Sequence, residues 1–204
     1  MTLSQFQSDV VSTLAANRTP RSFFSGSAIL GGYLRRRVGD IDIHCVSEPD
    51  YVSSMDTDLA TLEKHAIAAK PLLRREAETE MMICRDDEVT AINWVVSGEP
   101  RICPPIADRE FGWRVSLADA VLEKLLMAEG SDPIKHYDDL GECANAGLFS
   151  FDLVLIAAAS NHSLRLVDAA DAIVAALIRS TNLNAAAASK IIAARARFMR
   201  VSNV

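Results

Sequence analysis

Apolar residues first recur with helical spacing: over residues 3–16, Phe6, Val10, Val11 and Leu14 fall on one face, and Pro20 forces the chain out of the helix. A short apolar run, Ser22-Phe23-Phe24, ends at Gly26. The stretch 27–34 then reads as a short helix weakened by Gly31 and Gly32. From Asp40 to Val46, polar and apolar residues alternate as they do along a half-buried strand, so the local order is strand, turn, helix, strand. Residues 56–70 predict an amphipathic helix with Leu59, Leu62, Ala66 and Ala69 inward, stopped by Pro71. Two further β runs, 80–84 and 89–96, are separated by Arg85-Asp86-Asp87-Glu88, a polar link suited to a hairpin.

The texture changes after the stretch 97–112, which holds Pro100, Pro104 and Pro105 and is the natural boundary between an α/β domain, 1–112, and a helical domain, 113–204. Beyond it the pattern predicts helices over 116–129, 136–146, 150–159, 164–180 and 184–200. Ser116 and Asn184 are candidate N-caps. Ile173, Leu177, Ile191, Ile192 and Phe198 interrupt the alanines with bulk, so the tail reads as packed helices rather than low complexity. The expected class is α+β, a small mixed sheet followed by a C-terminal helical bundle.

Composition narrows the function. With 50% apolar and 24% charged residues the chain can build a core, which excludes a largely disordered protein. Lys+Arg number 21 against 27 Asp+Glu, a formal charge of -6, so no overall positive field gathers nucleic acid or acidic lipid; an anionic ligand has to be met by a local basic cluster. Two such clusters exist, Arg35-Arg36-Arg37 and the C-terminal Arg195, Arg197 and Arg200, the latter simply explained as compensating a helix dipole. Cys45, Cys84, Cys103 and Cys143 form no Cys-x-x-Cys pair, which argues against a zinc site or a disulfide framework. The start of the chain lacks signal-peptide features and no window is long and apolar enough for a membrane span, so a cytoplasmic protein without membrane contact is expected.

The chemistry concentrates in Phe24-Ser25-Gly26-Ser27, twelve residues, then Asp40-Ile41-Asp42. Alternation along a strand aims Asp40 and Asp42 at one spot, with Ile41 and Ile43 opposite; His44 is expected to point with Ile41, away from the carboxylates. Two adjacent carboxylates call for divalent cations or basic partners, and oxygen-only ligation suits Mg²⁺. Gly26-Ser27 stands where a strand meets a helix N-terminus, where free N–H groups and a serine hydroxyl favour a phosphate. Twelve residues allow about two helical turns at ~1.5 Å per residue and a reversal, returning the chain beside the first strand. Gly31-Gly32 leaves seven residues before Asp40, too few for that return.

This Gly-Ser, spacer, Asp-x-Asp layout resembles the nucleotidyltransferase superfamily, which includes DNA polymerase beta and the AbiEii-type toxins of type IV toxin-antitoxin systems. The stretch from Phe23 to Cys45, with its arginines ahead of Asp40, is most similar to the AbiEii branch. So is the later patch from Trp113 through Asp119, Glu123 and Lys124 to Lys135-His136-Tyr137-Asp138-Asp139. The resemblance implies a polymerase-beta-like fold and Mg²⁺-dependent transfer of a nucleoside monophosphate from a nucleoside triphosphate to an RNA, protein or small-molecule acceptor, with a cognate antitoxin as partner. It assigns Asp40 and Asp42 to metal and catalysis, Gly26, Ser27, Arg36 and Arg37 to the nucleotide, Lys124 to the triphosphate and catalysis, and Asp139 to catalysis. Two positions depart from that pattern. Asn93 stands where a third carboxylate is usual, and His136 where the first acid of the later motif is. Both departures motivate the competing expectation of a catalytically degenerate protein that binds a nucleotide or a partner.

Overall fold

The structure, a computed structural model, describes residues 3–98, 101–128, 133–160 and 165–202. Pro100 of the expected boundary, and residues 129 and 164 at the ends of two expected helices, lie outside the described residues. The chain forms two compact units, Met1–Ser116 and Leu117–Val204.

In the first unit, helix α1 (Gln5–Leu14) opens with a capping box: Ser4 Oγ accepts from Gln7 N–H, while Gln7 Oε1 accepts from Ser4 N–H at 2.8 Å. Gln7 Nε2 also donates to the Val38 carbonyl at 3.0 Å and to Thr90 Oγ1 at 3.1 Å, which fixes the chain just ahead of Asp40. Strand β1 (Ser22–Ser25) leads into a single helical turn, α2 (Gly26–Ile29), and strand β2 (Asp40–Cys45) returns antiparallel beside β1. The helix expected over 27–34 stops after that one turn, in keeping with the glycines that follow.

The helix expected over 56–70 is displaced. It runs as α3 (Glu48–Lys64), because Ser47 caps it and Pro49 stands in its first turn, so it starts eight residues earlier. Its buried side is Tyr51, Ser54, Asp58 and Leu62; Ala66 is exposed and left-handed, φ 57°, which turns the chain out of the helix. Residues expected to finish that helix instead form β3 (Ala68–Arg75), an edge strand hydrogen-bonded to β4 (Glu78–Arg85). Pro71 is tolerated there by a register shift between Pro71 and Leu73. Strand β5 (Glu88–Val96) completes the hairpin, and two short strands, β6 (Ile106–Asp108) and β7 (Gly112–Arg114), close the far edge. The sheet has seven strands in the order β3-β4-β5-β2-β1-β7-β6, larger than expected because three strands are carried by residues without alternation. It is mixed: β2/β5 and β1/β7 are parallel, the other pairs antiparallel.

Helices α1 and α3 cover one face of the sheet. Phe6, Val10, Val11 and Leu14 are buried with Phe24, Ile41, Ile43, Ile83, Ile92 and Trp94 in the core. A polar network is sealed inside it: Arg18 pairs with Asp58, both side chains fully buried. Trp94 Nε1 donates to Asp58 at 2.8 Å, Asn17 Nδ2 donates at 2.9 Å, and Arg18 donates to Ser22 and Ser54. The Cys45 thiol beside this network is pushed up by burial, partly offset by the Ser22 hydroxyl and the Arg18 charge.

The second unit is helical: α4 (Leu117–Met127), α5 (Pro133–Asn145), α6 (Phe151–Ala159), α7 (Leu166–Ile178) and α8 (Ala185–Ser202). Asn184 caps α8 as its position suggests, its Oδ1 accepting from Ala187 N–H at 2.9 Å. Arg195 does not serve the dipole of α8; it grips Asp171 of α7 with two bonds, 2.6 and 2.8 Å, because the two helices pack side by side. No described helix is long and apolar enough to cross a membrane.

The buried pair gives a stability prediction. Asp58→Ala strands the Arg18 guanidinium without a counter-charge and lowers unfolding free energy by about 3–5 kcal/mol in urea titrations, whereas the double variant Arg18→Met/Asp58→Leu recovers most of that loss. Equal losses in the single and double variants would show that packing, not the unpaired charge, sets the penalty.

Candidate active site

The candidate site lies on the sheet face opposite α1 and α3. Along β2, Ile41, Ile43 and Cys45 are buried against those helices, while Asp40, Asp42 and His44 are half-buried on the other side. His44 therefore shares the face of the two carboxylates, contrary to expectation, since positions two apart on a strand point the same way. Its ring lies 6.4 Å from that of Phe23, its register partner in β1.

Register then gathers the neighbours, because in-register residues on adjacent strands share a face. Ser25 stands opposite Asp42 across β1/β2, Asn93 opposite Asp42 across β2/β5, and Glu80 opposite Asn93 across β5/β4. The tightest approach is at Gly26, where φ is +67° and an added Cβ would sit 1.9 Å from Asp42 Oδ2 and 2.8 Å from its Cγ. Only glycine fits, for both reasons. The glycyl bend and the second carboxylate of the Asp-x-Asp pair are thus in van der Waals contact, with Asp40 about two strand residues away, ~6.6 Å along β2.

Ser27 is buried on the first turn after this bend, and its Oγ accepts from Arg36 Nη2 at 3.0 Å. Arg36 is anchored further by Nη1, which donates to the Arg37 carbonyl at 2.9 Å. Of the arginine triplet, Arg36 therefore reaches the turn; Arg35 and Arg37 are exposed, and Arg37 contributes its carbonyl there. A further cation is legible only in three dimensions. The Arg101 guanidinium lies 4.3 Å from the centroid of the Phe23 ring, which belongs to the carboxylate face. A lone arginine in a proline-rich segment carries no signal in sequence.

Among the described residues no three His, Cys, Asp or Glu side chains converge on one point. The acids at the site are Asp40 and Asp42, and the group beside them on β5 is the Asn93 amide. Its Nδ2 donates to Glu78 Oε1 at 3.3 Å, and its Oδ1 is buried without a hydrogen-bond partner. An orphaned oxygen on the sheet face that bears two carboxylates completes a donor set that fits a hard divalent cation.

Lys124 and Asp139 belong to the second unit, where both are buried and Nζ lies 3.7 Å from the Asp139 carboxylate. His136, Asp139 and Cys143 follow at helical spacing on α5 and are buried, as is Glu142. Burial, with Asp139 adding, pushes the Cys143 thiol up to about 12, and Lys124 offsets part of the rise.

The Gly26 contact is testable by a thermodynamic cycle. Gly26→Ala lowers stability by about 1–3 kcal/mol in wild type, and by at least about 1 kcal/mol less in an Asp42→Gly background, where the clashing atoms are gone. Chemical denaturation of the four proteins measures it; additive effects would mean the two positions do not touch.

No family model and no curated protein matches the chain. Two solved structures resemble it over nearly its whole length. JHP933 from Helicobacter pylori superposes with a TM-score of 0.59 at 13% identity, covering 99% of this chain and 97% of the other. A structure named "putative nucleotidyltransferase from H. pylori" superposes with a TM-score of 0.57 at 13% identity, covering 95% and 93%. At this identity the likeness is one of fold alone: a mixed α+β chain in which a sheet is followed by helices.

Proposed function

We propose that this chain is a Mg²⁺-dependent nucleotidyltransferase that moves a nucleoside monophosphate from a nucleoside triphosphate to an acceptor hydroxyl or phosphate. One observation carries the reading: the Gly26 bend is pressed against Asp42. A phosphate seated on that bend would lie beside the residues suited to bind its counter-ions.

Asp40 and Asp42 would hold Mg²⁺, which when bound neutralises phosphate charge and favours the ionised form of an acceptor hydroxyl. The absence of a side chain on Gly26 admits the Asp42 carboxylate against the bend, and Ser27 offers a hydroxyl on the turn that follows. Arg36, held on the Ser27 hydroxyl, adds positive charge on the same side of the bend. These residues position and neutralise rather than form covalent bonds to substrate, which is what phosphoryl-type transfer requires of a protein. The chemistry is thereby assigned to residues of the first unit. Lys124 and Asp139, which the resemblance links to the triphosphate and to catalysis, are ion-paired within the helical unit.

The finer assignment is to the AbiEii branch, with an RNA or protein acceptor and a cognate antitoxin. It is supported by the order of Gly26, Ser27, the arginine triplet, Asp40, Asp42, Lys124 and Asp139 along the chain. Asn93 favours a second reading, a nucleotide-binding protein that has lost turnover, since an amide is a weaker metal ligand and no base.

Incubation with labelled nucleoside triphosphates, Mg²⁺ and cell extract is expected to label a macromolecule, and Asp42→Ala is expected to reduce labelling to background. Mg²⁺-dependent nucleotide binding in calorimetry without any transfer would favour the second reading, and absence of both would remove the functional proposal. Growth arrest on expression, relieved by Asp42→Ala, would support the toxin assignment.

A further inference from the structure

We infer that Asn93 supplies the third metal-facing oxygen of this site and that Glu78, one strand further out, is the positioning residue that turns the amide to do so. This rests on the reading of Asp40 and Asp42 as metal carboxylates given above, and it assigns a role to two residues outside that pair.

The argument starts from what each group can accept or donate. A carboxylate only accepts, so the end of the Asn93 amide that meets Glu78 Oε1 at 3.3 Å must be the NH₂ end. The carbonyl end is then the one not engaged by Glu78, and the in-register neighbour of Asn93 on β2 is Asp42. That Oδ1 is buried and has no hydrogen-bond partner, which is destabilising for a carbonyl oxygen unless a donor or a cation arrives. The neighbour on β2 is a carboxylate, which attracts a cation.

Glu78 is not itself the missing ligand. Its second oxygen, Oε2, accepts from Arg75 Nη1 at 3.1 Å, so each carboxylate oxygen already has a partner. Glu80, opposite Asn93 in register, stands on β4, with β5 between it and the Asp42 strand. The result is a chain of contacts, Arg75 to Glu78 to Asn93, that ends in an oriented neutral oxygen. A site completed by an amide carries one negative charge fewer than one completed by a carboxylate, and binds a divalent cation correspondingly less tightly.

Mn²⁺ alone, titrated into the full chain and followed by its electron paramagnetic resonance signal, reads this without any turnover. Glu78→Ala is expected to weaken Mn²⁺ binding about tenfold, as loss of an orienting partner does, whereas Glu78→Gln, whose carbonyl can accept the same bond, stays within about twofold of wild type. Asn93→Ala weakens it to a similar degree. The double variant Asn93→Asp/Glu78→Gln reverses donor and acceptor while adding a charge, and is expected to bind about tenfold more tightly than wild type. Glu80→Gln leaves the affinity unchanged. Circular dichroism melts confirm that each variant is folded, and the isosteric double variant keeps the test open should Glu78→Ala fail to fold.

Two failures are distinguishable. If Asp42→Asn leaves Mn²⁺ binding intact, the metal site itself is refuted. If Asp42→Asn abolishes binding while the Asn93 and Glu78 variants bind as wild type does, only this inference falls. A Glu80→Gln loss exceeding that of Asn93→Ala would place the third ligand on β4 and likewise overturn it.

Discussion

The site depends on one close approach, between the backbone at Gly26 and the carboxylate of Asp42. Antiparallel pairing of β1 with β2 sets Ser25 opposite Asp42, and the chain must then leave the strand through a left-handed residue without a side chain. Everything else is arranged to keep that pairing in register. Gln7 holds the Val38 carbonyl just before β2, and the Arg18–Asp58 network ties β1, α3 and Trp94 of β5 together beneath it. A one-residue slip of β2 would send both aspartates into the core and the isoleucines to the site face. The apolar face of β2, where Ile41 and Ile43 are wholly buried, makes that slip prohibitive.

Much of this is legible in sequence because it is local. The Gly-Ser turn, the spacer and the alternation through Asp40 and Asp42 are properties of one short stretch, and the cap on α8 is likewise local. What escapes reading is non-local or depends on careful parity. His44 belongs with Asp40 and Asp42 by simple counting along the strand, so the alternation itself carries its placement. Strand β3 was hidden because Ala68, Ala69 and Lys70 suit a helix in isolation; a strand forms there because β4 offers its hydrogen-bonding edge and Ala66 has already turned the chain. The roles of Glu78 and Arg101 follow from register and loop path, which no spacing in the chain encodes.

Charge distribution on the sheet face explains how an acidic protein can be suited to an anionic ligand. The whole chain carries -6, yet Arg36 and Arg101 are brought to the side of the sheet that bears Asp40 and Asp42. Neither arginine works through a long-range field. At ordinary ionic strength a charge acts over about 8 Å, so only cations fixed close to the bend matter to a bound phosphate. The buried pair at Arg18 is different in kind. It lies on the helix-covered side, is sealed from solvent, and serves register rather than recognition.

The neutral amide at position 93 is the point at which fold and activity separate. Replacing a carboxylate by an amide leaves the strand pairing, the Gly26 contact and the core untouched, because Asn and Asp have nearly the same shape. It changes only the electrostatic balance at the face. Two carboxylates and an oriented carbonyl hold a cation less firmly than three carboxylates, so occupancy of such a site would lean on the ligand's own phosphate oxygens to complete the cation's coordination. In that arrangement metal and nucleotide each strengthen the other's binding, since each supplies charge the other lacks. The Glu78 tether fits this: holding the amide in one orientation removes the freedom of a group that contributes no charge, leaving geometry as the means by which it can favour the cation.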